Sequence, residues 1–258
     1  MKLKKYKGYL IDLDGTMYRG TEPIEAAADF VRTLVENNIP YVFVTNNSSK
    51  TRKAVSGHLN NMGIISTPGQ VVTTSIATAN YIQNQKEHAR CYVIGEEGLI
   101  SALEENDLII TDLDPDYVVV GIDREISYEK YAKAVLAVRN GATFISTNSD
   151  VAIPMERGLL PANGALTSVI TVSTGVQPIF IGKPEAIIME EALAILGVTK
   201  EDALMVGDNY NTDIRAGIHA GLDTLMVFTG VTRFEELAGL EVKPTYHVHS
   251  LRDWVQHI

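Results

Sequence analysis

Three aspartates, a threonine and a lysine stand at the ends of short apolar runs in this 258-residue chain: Asp12, Asp14, Thr45, Lys183 and Asp208. In open α/β sheets, side chains that follow the strands meet at the carboxyl edge, where ligands bind. Crowded carboxylates repel each other and raise each other's pKa. Mg²⁺ removes that cost, because it prefers a few carboxylates together with water and phosphate oxygens. The set therefore predicts a magnesium site that handles a phosphate group.

Phosphoryl transfer is the chemistry that these residue types can perform. It requires charge neutralisation around the transferred group and an in-line nucleophile, and an aspartate can be that nucleophile by forming an aspartyl-phosphate. We expect Asp12 to attack, with Mg²⁺ held by Asp12 and Asp208. Asp14 is expected to protonate the leaving oxygen and then to deprotonate water. Lys183 and the Thr45 hydroxyl would bind phosphate oxygens.

Alternating strand and helix patterns supply the elements that would position this set. Apolar runs at 8–13, 41–45 and 71–73 predict strands, and helical spacing of apolar residues over 22–37 and 50–61 predicts the helices between them. This order predicts a parallel sheet with helices on its faces. The last third repeats the pattern, with strands at 178–181, 203–206 and 222–228 and helices at 185–196 and 212–220.

The spacing of the motifs predicts an inserted domain. From Asp12 to Thr45 is 33 residues, which one helix and its loops fill, whereas from Thr45 to Lys183 is 138 residues. A sheet crossover needs only about a dozen residues or somewhat more. We therefore predict an α/β protein whose core is a doubly wound, Rossmann-like parallel sheet. The core would comprise residues 1–75 and 182–258, and an inserted α/β cap domain that selects the substrate would comprise residues 76–181.

In their order along the chain, the motifs resemble those of the haloacid dehalogenase-like hydrolase superfamily. The matching pieces span nearly the whole chain: Asp12-x-Asp14-Gly15-Thr16, Thr45, Lys183 and Gly207-Asp208-x4-Asp213. The resemblance implies that Asp208 is a metal ligand. It also implies that Asp213 stands behind the ligands and orients Lys183 or a metal-bound water.

The same resemblance implies roles for the other motif residues. Asp12 would be both nucleophile and metal ligand. Asp14 would be the acid/base, with its backbone carbonyl on the metal. Thr45, together with Asn46, would bind the phosphate, and Lys183 would stabilise the nucleophile and the phosphate.

The position of the insertion is similar to the type 2 cap of the NagD-type, 4-nitrophenylphosphatase-like branch of this superfamily. The strings that carry the likeness are Thr45–Ser49, Gly182-Lys183-Pro184 and Gly207-Asp208-Asn209. The stretches at 147–150 and 161–165 are similar to the cap loop of that branch, although Ala162 stands where a glycine is common.

Composition argues against several other classes of protein. The formal net charge of −10 argues against a nucleic-acid partner, which needs a basic face. The single cysteine, Cys91, cannot form an internal disulfide. No window approaches the roughly 20 apolar residues of a membrane span, and the apolar run near the basic N-terminus is too short for a secretory signal. We predict a cytoplasmic protein without a membrane partner.

The predicted function is magnesium-dependent hydrolysis of small phosphate monoesters, with a sugar phosphate or a nucleoside monophosphate as the expected substrate. Two alternatives stay open: a phosphotransferase that uses the same intermediate, and a phospho-accepting regulatory module, although receiver modules are much shorter and lack the insertion. Four polar residues of the cap loop are candidates for contacting the substrate: Asp150, Glu156, Arg157 and Asn163. A homodimer formed through the cap is compatible with the sequence.

Overall fold

The structure is a computed structural model that describes residues 4–155 and 157–258, so Glu156 of the predicted cap loop lies outside the described residues. In chain order, the strands are β1 (Gly8–Ile11), β2 (Tyr18–Arg19), β3 (Glu22–Pro23), β4 (Tyr41–Thr45), β5 (Val71–Thr73), β6 (Arg90–Ile94), β7 (Ile109–Ile110), β8 (Tyr117–Val120), β9 (Thr143–Ser146), β10 (Ala152–Met155), β11 (Gly158–Pro161), β12 (Ile179–Phe180), β13 (Ala203–Gly207), β14 (Asp223–Val227) and β15 (Tyr246–Val248). The α-helices are α1 (Ala27–Glu36), α2 (Arg52–Asn61), α3 (Thr74–Gln85), α4 (Glu97–Glu105), α5 (Tyr128–Arg139), α6 (Asn163–Thr174), α7 (Ala186–Leu196), α8 (Arg215–Ala220) and α9 (Leu251–Val255).

The first of two units takes in the chain up to Thr45, then Arg52–Val72 and Lys183–Ile258. Its sheet has the order β15-β14-β13-β1-β4-β5, and the pairs from β15 through to β4 are parallel. Strands β1, β4 and β13 are buried along their whole length, as expected when helices cover both faces of a parallel sheet. The predicted parallel-sheet α/β class is confirmed. Because β1 and β13 are parallel neighbours, the residues that directly follow these two strands lie side by side.

The second unit takes in Asn46–Thr51 and Thr73–Gly182. It contains a five-stranded sheet with the order β12-β9-β8-β6-β7, in which all pairs are parallel, and an antiparallel hairpin of β10 and β11. Helices α5 and α6 close one buried cluster with this sheet, formed by Tyr92, Ile94, Val118, Val120, Ala134, Val138, Phe144 and Ile170.

The segment Asn46–Thr51 groups with the second unit although it lies within the range 1–75 predicted for the core. Hydrogen bonds explain this grouping. The Ser48 hydroxyl accepts from the Ile122 N–H at 3.1 Å, and the Ser49 carbonyl accepts from the Gly98 N–H at 3.0 Å. The segment is thus held by the beginning of α4 and by the loop after β8, which both belong to the second unit.

One local prediction was wrong. The helix predicted over 22–37 begins only at Ala27, because Glu22–Pro23 form β3 and pair with β2. The strand predicted at 178–181 falls within the range 76–181 predicted for the cap, and β12 pairs with β9 in the sheet of the second unit. Between residues 148 and 164, where no strand was predicted, β10 and β11 form an antiparallel hairpin.

Within the described ranges 4–155 and 157–258, no helix combines the length and the hydropathy that crossing a bilayer requires.

Candidate active site

Four of the predicted site residues meet in the first unit. Asp12 directly follows β1, Asp208 directly follows β13, and Asp213 lies in the turn before α8. Lys183 reaches the same place from the segment that precedes α7. All four side chains are buried. The neighbouring positions of β1 and β13 bring the two carboxylates together, as the sequence predicted from the apolar run before each.

Lys183 binds this cluster through three acceptors. Its Nζ atom lies 2.5 Å from Asp12 Oδ1 and 2.8 Å from Asp213 Oδ1, and it donates to the Val44 carbonyl at 3.1 Å. An ammonium group has three protons, so each can be matched to an acceptor. Burial lowers the pKa of Lys183, but the charges of Asp12 and Asp213 outweigh that effect and raise it above its usual range. Lys183 is therefore a fixed positive charge.

The three carboxylates outnumber this charge. Asp12, Asp208 and Asp213 each offer an oxygen within 4.8 Å of the others. Burial and the charge of Asp213 raise the pKa of Asp12 well above its usual value, and Lys183 offsets only part of this effect. Burial and Asp213 likewise raise the pKa of Asp208 to about 6. The cluster thus has an excess of negative charge that a bound cation would neutralise.

The surroundings of the carboxylates fit a divalent cation with oxygen ligands. The Thr16 hydroxyl lies 3.2 Å from Asp12 Oδ2 and 3.1 Å from Asp208 Oδ1, but its single proton can satisfy only one of them at a time. Gly15 has φ +89°, and a Cβ atom there would lie 2.5 Å from Asp208 Oδ2. The backbone therefore packs directly against the carboxylate. Acidic oxygens with incomplete partners are the donor set that Mg²⁺ prefers.

Asp213 has its oxygens already engaged. One accepts from Lys183, and the other accepts from the Asn209 N–H at 3.0 Å. Gly207 lies against this side chain, so that a Cβ atom at Gly207 would overlap it. These contacts suit a residue that supports Lys183, which agrees with the role that the sequence resemblance implied for Asp213.

Asp14 differs from the buried acids because its side chain is exposed. A tight turn holds it: the Gly15 N–H donates to the Tyr18 carbonyl at 2.8 Å, and the Thr16 N–H donates to the Leu13 carbonyl at 3.2 Å. The buried Tyr18 hydroxyl hydrogen-bonds the Asp14 carboxylate. Burial and the charges of Asp14 and Asp12 raise the pKa of Tyr18, so the phenol stays a donor. An accessible carboxylate beside Asp12 is suited to proton transfer.

Thr45 and Asn46, two of the predicted phosphate ligands, are neighbours in sequence but belong to different units. Thr45 is buried at the end of β4, next to the Val44 carbonyl that binds Lys183. Asn46 belongs to the second unit, where its Nδ2 atom donates to Asp150 Oδ2 at 3.1 Å. The carbonyl of Asn46 accepts from Asn148 Nδ2 at 2.9 Å. The structure thus brings the Asn46 side chain to the predicted cap loop.

Sequence reasoning missed several residues of the site. Thr16 was treated only as part of a motif, and the segment after β14 was given no role in the site. In the structure the Val231 N–H donates to Asp208 Oδ2 at 2.6 Å. The signal that could have indicated this contact is the position of Gly230, which follows a buried strand as the other motifs do.

Known proteins are similar to this chain along its whole length. A model described as haloacid dehalogenase-like hydrolase matches residues 9–109, and a HAD-hydrolase-like model matches residues 180–254. The 5'-nucleotidase YutF of Bacillus subtilis is 61% identical, over 99% of this chain and 100% of that protein. An acid sugar phosphatase of Staphylococcus saprophyticus is 52% identical, over 99% of both. A mutant of the thermostable p-nitrophenylphosphatase from Bacillus stearothermophilus has a similar structure, with TM-score 0.90 and 56% identity over 98% of this chain and 99% of that one.

Proposed function

The chain belongs to the haloacid dehalogenase-like hydrolase family, and we propose that it hydrolyses small phosphate monoesters by way of a phosphorylated Asp12, with Mg²⁺ bound beside it. The observation that carries the proposal is the buried cluster in which Lys183 lies 2.5 Å from Asp12 while Asp208 and Asp213 surround the pair. A single carboxylate with a dedicated cation could be structural. Three neighbouring buried carboxylates with a single lysine among them are costly unless a bound cation neutralises their remaining charge.

In the first step, an oxygen of Asp12 bonds to phosphorus while the bond from phosphorus to the ester oxygen breaks. Protonated Asp14 gives its proton to the departing oxygen, so that an alcohol leaves. Lys183 favours the ionised state of Asp12 that attack requires, because its positive charge opposes part of the effect of burial on the Asp12 pKa. Thr45 and Lys183 bind the phosphoryl oxygens.

In the second step, the Asp14 carboxylate takes a proton from water. The water oxygen bonds to phosphorus, and the bond between phosphorus and Asp12 breaks. The products are inorganic phosphate and a free Asp12 carboxylate, and Asp14 is again protonated for the next cycle. Exposure of Asp14 to solvent gives water access to this group, while the hydrogen bond from Tyr18 keeps the carboxylate in place.

Mg²⁺, when bound to Asp12, Asp208 and the Asp14 backbone carbonyl, supplies positive charge to the phosphoryl oxygens. Asp213 supports the site by holding Lys183 at 2.8 Å rather than by direct ligation.

The substrate that we propose is a sugar phosphate or a nucleoside monophosphate. The names of the similar proteins refer to a nucleotidase, a sugar phosphatase and a nitrophenylphosphatase, whose shared chemistry is a phosphate monoester. We propose that the second unit is the cap that selects among such esters, since its loop carries Asp150 in contact with Asn46. Asn163, another candidate, is buried at the start of α6 and donates to Ser146 and to the Asn148 carbonyl.

The test is phosphate release from para-nitrophenyl phosphate and from a panel of sugar phosphates and nucleoside monophosphates, with Mg²⁺ or with EDTA. We expect Mg²⁺-dependent release that EDTA stops and added Mg²⁺ restores. Glycerol included as an acceptor separates hydrolysis from phosphotransfer, because transfer would yield glycerol phosphate in place of inorganic phosphate. Release that is indifferent to both EDTA and Mg²⁺, or no turnover of any panel member, would overturn the proposal.

A further inference from the structure

The loop Thr229–Thr232, which follows β14, contacts the metal-ligand candidate Asp208 through its backbone. The Val231 N–H donates to Asp208 Oδ2 at 2.6 Å, and the Thr232 N–H donates to the Asp208 carbonyl at 3.3 Å. We propose that this loop is a positioning element that fixes the Asp208 carboxylate for Mg²⁺. The inference rests on the proposed function, because it assumes that Mg²⁺ binds at Asp208.

Hydrogen bonds, rather than burial, hold the loop. The Val231 side chain is 66% exposed, so little apolar packing anchors it. At one end, the Thr229 hydroxyl donates to the Gly15 carbonyl at 2.7 Å, and Arg19 Nε donates to the Thr229 carbonyl at 2.7 Å. At the other end, the buried Thr232 hydroxyl accepts from the Tyr210 N–H at 2.9 Å. The loop therefore joins the turn after Asp12 to the turn after Asp208.

This connection sets which oxygen of Asp208 can serve a cation. Val231 occupies Oδ2, whereas Oδ1 faces Thr16, which also reaches Asp12. Mg²⁺ demands nearly ideal octahedral geometry, so a ligand held in one orientation binds it more tightly than one that must be ordered on binding. Gly230 belongs to this positioning loop for a steric reason, because a Cβ atom there would overlap the Asp208 carboxylate. A side chain at this position would displace either the loop or the ligand.

Thr229 offers a clean test because valine matches its shape and lacks the hydroxyl donor. We expect Thr229→Val to weaken Mg²⁺ affinity by about 3- to 10-fold, measured by calorimetric titration of the full-length protein without substrate. Thr229→Ser keeps the hydroxyl and should restore most of the affinity. In activity assays, the Mg²⁺ concentration for half-maximal rate should rise while kcat at saturating Mg²⁺ changes much less.

Thr245→Val is the matched control. Its hydroxyl also hydrogen-bonds the backbone, accepting from the Thr224 N–H at 3.0 Å, but near the beginning of β14 and not at its carboxyl end. This variant should keep the wild-type Mg²⁺ affinity. Gly230→Ala is the stronger perturbation and should weaken Mg²⁺ binding by about 10- to 100-fold.

The outcomes separate the inference from the proposed function. Wild-type affinity in both Thr229→Val and Gly230→Ala would overturn the positioning role, whatever their thermal stability in EDTA. An equal loss of affinity in Thr229→Val and Thr245→Val would do the same, since it would reflect general loosening. Failure of the wild-type protein itself to bind Mg²⁺ would instead overturn the magnesium site on which the inference rests.

Discussion

The chain contains two parallel α/β sheets, and the residues at their carboxyl ends are very different. The first unit places ionisable side chains there: Asp12 follows β1, Asp208 follows β13, and Lys183 pairs with Asp12. After β8, in the second unit, the Ile122 N–H is taken by Ser48 of the segment Asn46–Thr51. One edge thus has an excess of charge, while the other is filled by the protein's own chain.

Buried acids show the same contrast. In the second unit, Asp123 is buried and has a dedicated partner, Lys130, at 2.6 Å. In the first unit, Lys183 pairs with two buried carboxylates, Asp12 and Asp213, and a third buried carboxylate, Asp208, lies within 4.8 Å of both. A paired acid is complete, whereas the crowded acids need a further cation. We infer that the carboxyl edge of a parallel sheet becomes a reaction site only where the charge of its side chains is not neutralised and where no other segment of the chain fills the edge.

The largest expected effect distinguishes the two kinds of buried aspartate. Asp12→Asn should lower kcat by roughly 10⁴-fold or more, because an amide is a poor nucleophile. Asp123→Asn, the matched variant of the second unit, should cost stability but change kcat by less than about tenfold. Steady-state hydrolysis of para-nitrophenyl phosphate at saturating Mg²⁺ measures both. Comparable losses in the two variants would show that the comparison has no catalytic meaning.

Removal of the shared lysine should have the next largest effect. Lys183→Met leaves Asp12 and Asp213 without their cation, so we expect unfolding free energy in EDTA to fall by about 3–5 kcal/mol. Mg²⁺ should recover part of that loss, because it supplies positive charge to the same carboxylates. Denaturant unfolding with and without Mg²⁺ checks this. Lys130→Met removes the corresponding partner of Asp123. It should lower the unfolding free energy, and Mg²⁺ should recover none of that loss. Equal recovery in both variants would contradict the account.

A smaller effect concerns the pH dependence of the metal-free protein. The pKa of Asp208 is raised to about 6, above its value in the unfolded chain. Between the two pKa values the folded state holds a proton that the unfolded state has released. The free energy of unfolding therefore falls as pH rises from about 4 through 6.

The variant Asp208→Asn lacks this titrating group and should not show the fall. Its unfolding free energy in EDTA should exceed that of the wild type by about 1–3 kcal/mol at pH 7, and the difference should vanish near pH 4. A constant difference across this range would refute the assignment.

The smallest effect concerns the filled edge of the second unit. Ser48→Ala removes the acceptor of the Ile122 N–H and should lower the unfolding free energy by about 1–2 kcal/mol without changing Mg²⁺ affinity. Ser168→Ala, whose hydroxyl is exposed on α6, should change it by less than about 0.5 kcal/mol. If Ser48→Ala weakened Mg²⁺ binding, the two edges would not be independent.

The sequence predicted those site residues whose motifs directly adjoin a strand. Asp12 and Asp208 were expected together because each follows an apolar run, and β1 and β13 are indeed neighbours. The two-residue strand β12 is too short for its sequence pattern to indicate which strand it pairs with, and only the structure identifies β9 as its partner. The contact of Asn46 with Asp150 links residues 104 positions apart, and the contact of Val231 with Asp208 uses a backbone N–H that no side-chain pattern records.

We expect the phosphoryl group to be transferred to Asp12, at the carboxyl end of β1, before it is released to water. The most direct test is rapid acid quenching of the Mg²⁺-loaded enzyme during turnover, followed by tryptic digestion and mass spectrometry. Cleavage after Lys7 and Arg19 yields a peptide of residues 8–19 that holds both Asp12 and Asp14. We predict that this peptide is phosphorylated on Asp12 in the wild-type protein and that it carries no phosphate in Asp12→Asn. Phosphate on another residue, or an enzyme that turns over while this peptide stays unmodified at every quench time, would contradict it.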